Sequence, residues 1–349
     1  MQNATGTIAQ RDRTITLWLW ILFGSVFAMV LVGGITRLTG SGLSMVDWRP
    51  VMGVLPPIGE AAWIETFDAY STSPEYREIN SWMDLDDFKR IFFWEYLHRL
   101  LGRLIALIAF VPWLVLTLQK KIEGWLSWRV IVSILLGGAQ GLLGWYMVKS
   151  GLVDVPQVSH LRLAAHSGLA FLISQWILWM LLDLHFGRAR PSFAGAQKWT
   201  SSVLALLAVQ ILYGALMAGT HAGLLFPTFP DMNGRYLPGP FFPLDSLASN
   251  LFYSPLAIHW IHRVVGFALL CLAAGTLFAL RRIPLVPAWA RGQLVAVLVV
   301  QFALGAFTAV YQTPLWLAIT HQAGAFLAAC SASLLAHRTA AAARPPSTS

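Results

Sequence analysis

Long, almost uncharged apolar stretches alternate with short polar ones along this chain. Eight of them are long enough to cross a bilayer: about Thr14–Thr36, Phe92–Leu118, Val130–Val148, Leu163–Leu184, Ser201–Thr220, Leu256–Leu280, Gln293–Val310 and Leu315–Ala336. Roughly 20 apolar residues in a helix span the hydrocarbon layer. Inside it the backbone must satisfy its own hydrogen bonds, so each stretch predicts a helix. The second and sixth carry arginine near their starts: Arg99 and Arg103 in one, Arg263 in the other.

The pattern predicts an all-α integral membrane protein of eight transmembrane helices. Composition agrees: the chain is 57% hydrophobic and only 11% charged, whereas soluble domains carry about a quarter charged residues. The 16 tryptophans suit interfacial belts. Cys271 and Cys330 lie inside apolar runs, which predicts packing residues rather than a disulfide framework. The first apolar run is too long for a cleaved leader and reads as a retained helix.

Charge then fixes orientation. With the N-terminus taken as cytoplasmic, 13 of the 24 lysines and arginines fall in short inner segments, among them Lys120, Lys121, Arg188, Arg190, Arg281 and Arg282. Only eight fall in the much longer outer loops, and both termini then lie inside. The net charge of +8 is thereby accounted for as membrane topology, and no nucleic-acid partner is expected. The chain divides into a cytoplasmic tail (1–13), a first half (14–184) containing a long acidic outer loop (37–91), an inner linker (185–200), a second half (201–336) and a disordered cytoplasmic tail (337–349).

The two halves repeat. Both carry H-R-x-x-G, as His98-Arg99-Leu100-Leu101-Gly102 and His262-Arg263-Val264-Val265-Gly266. Gln140-Gly141-Leu142-Leu143-Gly144 matches Gln301-Phe302-Ala303-Leu304-Gly305, and Ala165-His166 matches Thr320-His321. Each repeat holds four helices, so both face the same way. The expected architecture is two four-helix bundles related by a pseudo-twofold axis along the membrane normal.

Four of the nine histidines, His98, His166, His262 and His321, occupy matched positions one to two turns into helices that start at the outer face. A lone intramembrane histidine is commonly a hydrogen-bonded packing residue. Four at one depth, repeated in register, point instead to two bis-histidine hemes lying between helices. Zinc would want a more compact set. His185 and His337, at inner helix ends, are expected to be solvated. Arg99 and Arg263 follow two of the histidines directly; heme propionates and lipid headgroups are equally suitable partners for them. Glu95 shares a helix face with His98, while the matched position in the second half is His259. A carboxylate beside one proposed heme makes the first half the expected catalytic half, with Glu95 moving protons. The second half is then expected to hold a fixed electron-transfer heme.

The run Gly33-Gly34-Ile35-Thr36-Arg37-Leu38-Thr39-Gly40-Ser41-Gly42-Leu43-Ser44-Met45, the block Glu95-Tyr96-Leu97-His98-Arg99, Leu163–His166, Ala218–His221, Ile261-His262-Arg263 and Thr320-His321-Gln322 together resemble the heme A synthase family over about Leu17 to Ala336. The resemblance implies oxidation of the methyl group on porphyrin carbon eight of heme O to the formyl group of heme A, in two steps through an alcohol, for assembly of a terminal oxidase. It implies that His98 and His166, with Arg99, hold the substrate heme O. It likewise implies that His262 and His321, with Arg263, hold a cofactor heme b. Glu95 matches the family's catalytic glutamate, stabilising a cationic intermediate or accepting a proton. Because iron held by two histidines has no open position, water is favoured over dioxygen as the oxygen source. An inner-membrane location with heme sites near the outer face follows, with membrane lipid, heme O synthase and oxidase assembly factors as partners. A homo-oligomer stays open, and the electron acceptor is unspecified. Some members carry a cysteine pair in the first outer loop; Arg37–Ile91 has none, which fits the cysteine-free branch seen in proteobacteria and mitochondria. The competing class is a bis-histidine di-heme electron carrier. Such a carrier would place hemes near both faces, whereas the four histidines lie near one. A transporter would place its site at the midplane, and a structural oxidase subunit would leave Glu95 unused.

Overall fold

The computed structural model describes residues 13–46, 54–153, 155–190, 192–237, 239–240, 243–283 and 286–342. Among them the fold is helical, with a single isolated β-bridge between Met232 and Arg235. Eight helices are long and apolar enough to cross a membrane: α1 (Arg13–Leu38), α3 (Leu85–Leu118), α4 (Gly124–Lys149), α5 (His160–Phe186), α6 (Gln197–Gly219), α9 (Pro255–Ala279), α10 (Ala288–Val310) and α11 (Leu315–Ala342). The short helices α2 (Glu60–Ser71), α7 (Ala222–Leu225) and α8 (Leu247–Tyr253) lie in the two long connections.

All eight expected spans are present; α4 and α10 begin six and five residues earlier than expected, and α3 and α11 differ for local reasons. Helix α3 begins seven residues before the apolar run, because Asp84 caps it by accepting from the amides of Asp86 and Asp87. Its polar first turns project beyond the apolar section, with Lys89–Asp86 and Arg90–Asp87 pairs on their surface. Helix α11 runs on to Ala342, so the first residues of the expected disordered tail are helical; residues 343–349, with Arg344, lie outside the described residues, as do 1–12 and Arg49. Ser159 caps α5, and Ser254 caps α9 with Pro255 in its first turn.

Packing follows the repeat. Helix α1 packs on α3 and α5, and α4 packs on the same two, which closes a ring of four. Helices α9 and α11 each pack on α6 and on α10, closing a second. The rings meet where α5 touches α6 and α11, and where α1 touches α11. Leu19, Leu22, Leu126, Val130, Ile177 and Met180 fill the first ring. Val203, Leu207, Leu294, Leu298, Phe326 and Leu335 fill the second, joined by Val30 and Phe171 of the first. The outward faces stay apolar, as at Leu17, Leu107, Leu135 and Phe278. In lipid such faces need no cover, and close packing with interhelical hydrogen bonds carries the association.

At the end carrying the short connections, a buried polar knot joins the rings. The Asp183 carboxylate of α5 receives the Arg129 guanidinium of α4, the Ala189 amide (2.8 Å) and an imidazole nitrogen of His337 on α11 (2.8 Å). His337 is therefore fully buried, not solvated as expected. The cause is a carboxylate 154 residues earlier, which the sequence around His337 cannot reveal. His185 is exposed as expected. Removing one member of a buried ion pair strands the others, so Asp183→Ala is expected to lower stability by about 3 kcal/mol. Unfolding in detergent measures this; an unchanged midpoint would mean that the knot does not hold the rings together.

Candidate functional site

The four matched histidines sit toward the end of the protein that carries the two long connections. In each ring they occupy diagonal helices: α3 and α5 in the first, α9 and α11 in the second. Each imidazole lies against a glycine of a neighbouring helix. A Cβ at Gly33 would stand 3.4 Å from the His98 ring, at Gly144 2.9 Å from His166, at Gly214 3.2 Å from His262 and at Gly305 2.8 Å from His321. The glycines let the rings approach the backbone closely, and at Gly144 and Gly305 a Cβ would force the ring to shift. His98 is within electrostatic range of His166, and His262 of His321.

Glutamines complete the pattern. The Gln140 amide donates to the backbone carbonyl of His166 (3.0 Å), and its repeat mate Gln301 donates to that of His321 (2.9 Å). The Gln210 amide lies 3.2 Å from a ring nitrogen of His262. Meanwhile Nδ1 of His166, His262 and His321 is buried with no partner. A buried polar atom left unpaired is costly and calls for an explanation. Imidazole nitrogens in opposed pairs between helices suit axial ligation of a heme iron, so this donor set fits the group. Among the described residues, no cluster of three or more His, Cys, Asp or Glu could hold a bare metal ion.

Glu95 is buried, 3% exposed, at the start of the apolar section of α3. Its Oε2 accepts from the Ser44 hydroxyl and the Met45 amide, each at 2.7 Å, and its Oε1 from the Arg99 guanidinium at 2.5 Å. Arg99 also donates to the Met45 carbonyl (2.8 Å). Thr36, at the end of α1, donates to the Trp94 carbonyl (3.2 Å), which holds the departing chain close to α3. The carboxylate is thus caged by one cation and by a loop segment folded over it. Charge-assisted bonds of this kind are the strong ones.

Residues 16–332 match the family described as cytochrome oxidase assembly protein. The chain belongs to that family. Among its curated relatives, the heme A synthase of Nitrosospira multiformis is 42% identical over 322 residues, covering 90% of each chain. That of Parvibaculum lavamentivorans is 41% identical over 325 residues, 93% of this chain and 94% of the relative. That of Paracoccus denitrificans is 42% identical over 322 residues, 89% of this chain and 84% of the relative. The family resemblance drawn from the sequence motifs is borne out.

Within this family member, the two arginines after the histidines have partners the sequence did not suggest. Arg99 pairs with Glu95 one turn back, and Arg263 donates to the carbonyls of Asp231 (2.6 Å) and Phe226 (3.0 Å). Both fasten a long connection onto its ring. The Glu95 and His259 positions do the same: His259, 1% exposed, lies 3.1 Å from the Ala222 carbonyl as Glu95 holds Ser44 and Met45. The asymmetry at this matched pair is therefore in charge rather than in anchoring. Arg37 bridges the rings, donating to the Ala218 carbonyl (2.6 Å) and lying 3.1 Å from His221 Nε2. Burial and the Arg37 charge hold His221 below the ordinary imidazole range.

Proposed function

We propose that this chain is a heme A synthase, oxidising the methyl group on carbon eight of heme O to the formyl group of heme A. The observation that carries the reading is the caged carboxylate. Glu95 stands three residues before His98 on one face of α3, whereas the matched position in the other half is His259. A di-heme electron carrier could use the cage as a loop anchor, as His259 serves in the other half, but has no task for its carboxylate.

Converting a methyl to a formyl group with water as oxygen donor releases four protons and four electrons, in two two-electron steps through an alcohol. His98 and His166 would hold the substrate from diagonal helices, their rings packed close to Gly33 and Gly144. Glu95, aimed by Ser44, Met45 and Arg99, stabilises positive charge developing at the reacting carbon or takes the proton lost from it. A preorganised charge in a water-poor site needs no rearrangement as the reaction proceeds. His262 and His321 hold a heme b, which supplies one-electron transfer. Arg99 and Arg263, beyond securing the loops, are the cations beside His98 and His262 that would be available to heme propionates.

The distribution of lysine and arginine supports an orientation with the short connections on the cytoplasmic side and the heme sites toward the outer face of the inner membrane. The first half (14–184) is then the substrate half and the second (201–336) the cofactor half, related by a pseudo-twofold axis. Heme O synthase is the partner that would deliver substrate, and oxidase assembly factors would receive product.

The purified protein, expressed with a supply of heme O, is expected to yield heme b together with heme O and heme A on extraction, chromatography and mass spectrometry. Labelled water should enter the formyl oxygen, with aldehyde exchange controlled. Heme b alone, at two per chain, would favour the electron carrier; no heme at all would overturn the ligand set.

A further inference from the structure

The connection between α1 and α3 buries a second carboxylate. Glu75 is 7% exposed, under an aromatic cluster seated on the start of α3. Tyr70, fully buried, stacks on Phe88 with centroids 5.1 Å apart, and Phe92, Trp63, Phe67 and Tyr76 complete the cover. Glu75 accepts the Tyr70 hydroxyl (3.0 Å), whose oxygen accepts in turn from the Asn80 amide (2.8 Å). Among the described residues no lysine or arginine pairs with it: Lys89 and Arg90 are held by Asp86 and Asp87, and Arg99 by Glu95. Arg77 and Glu78, on its own segment, are exposed.

The same cluster reaches Glu95. The Met45 side chain packs among these aromatics while its amide bonds the Glu95 carboxylate. Phe92 lies one turn before Glu95 on α3, and the Glu95 charge acts on both Glu75 and Tyr70. Two carboxylates within range across an apolar medium cannot ionise independently: charge on one raises the cost of charge on the other.

We propose that Glu75 is a positioning carboxylate of the Glu95 site, whose ionisation sets the electrostatic potential in which Glu95 works. Burial pushes the Glu75 carboxyl up to about 7; the Tyr70 hydroxyl opposes that rise and the Glu95 charge adds to it. Glu75 is thus protonated below neutral pH and ionised above it. An ionised Glu75 makes the potential at Glu95 more negative. That strengthens Glu95 both as a proton acceptor and as a stabiliser of positive charge, so either role assigned to it above gains as pH rises.

The proposal rests on the heme A synthase reading, and its test separates the two. Heme A formation by the wild-type protein is expected to rise on the order of tenfold from about pH 6 to about pH 8, following Glu75 ionisation. Glu75→Gln should flatten this profile at its low-pH level with heme content retained, and Glu75→Asp should restore part of the rise. An unchanged profile in Glu75→Gln would overturn the proposal. Infrared titration of the carboxyl stretch gives a second readout that needs no turnover. The Glu75 band, identified by its loss in Glu75→Gln, should titrate at lower pH once Glu95 is replaced by Gln. An unmoved band would overturn the coupling even in an active enzyme. A moved band with no heme A under any condition would leave the coupling standing and sink the heme A synthase reading.

Discussion

Glu95→Gln is expected to cut heme A formation by about a hundredfold to a thousandfold, the usual effect of removing one preorganised charge from a reacting centre. The substitution keeps the size of the side chain and an oxygen that can accept from Ser44 and Met45. It removes the negative charge that Arg99 now balances. The fold and both histidine pairs should survive, so heme O should accumulate on the protein with an unchanged bis-histidine spectrum. Glu95→Asp should fall between, because its shorter arm cannot reach Ser44, Met45 and Arg99 together. Extraction of hemes after a fixed time, against absorbance of the folded protein, measures both. A Gln variant that made heme A near the wild-type rate would remove Glu95 from the chemistry and leave it as a loop anchor, the role His259 has in the other half.

Gly144→Val and Gly305→Val are expected to empty one heme site each. A Cβ alone would stand 2.9 Å from the His166 ring and 2.8 Å from the His321 ring, inside ordinary contact distance. Valine adds two branches that cannot swing clear within a helix. The imidazole must rotate off its seat, and a ligand moved by even an ångström no longer holds iron. Gly305→Val should lose heme b and with it turnover, while still binding heme O. Gly144→Val should retain heme b and fail to hold substrate. Heme stoichiometry by type, measured on the folded protein, distinguishes them. Loss of both hemes from either variant would mean that the two sites are not independent.

The spans were legible because eight long apolar runs leave the backbone one way to satisfy its hydrogen bonds. The grouping of His98, His166, His262 and His321 toward one end of the helices was legible because they recur in register. Arg99 was half legible: a glutamate four residues before an arginine on a helix is a known favourable pair, yet heme propionates and lipid headgroups were the partners its place beside His98 suggested. The fold of the first long connection was not legible. The bonds among Tyr70, Glu75 and Asn80 join α2 to a π-helical turn at Tyr76–Asn80, and no periodicity announces such contacts. Nor could the sequence tell that His337, in an alanine-rich run, would meet Asp183.

The bonds between the rings have a consequence for assembly. Gln322 donates to the Val30 carbonyl (2.7 Å), Ser333 to Gln175 (2.9 Å), and His337 meets Asp183. At the offset of 155 between His166 and His321, the mates of His337 and Asp183 are Leu182 and Arg338, and those of Ser333 and Gln175 are Leu178 and Cys330. None of these mates can form the corresponding bond. Two copies of the first half set face to face would bury Asp183 against leucine with no imidazole to receive it. The halves are therefore lock and key rather than twins: the groups that meet in these two bonds have no matching partners at the repeated positions.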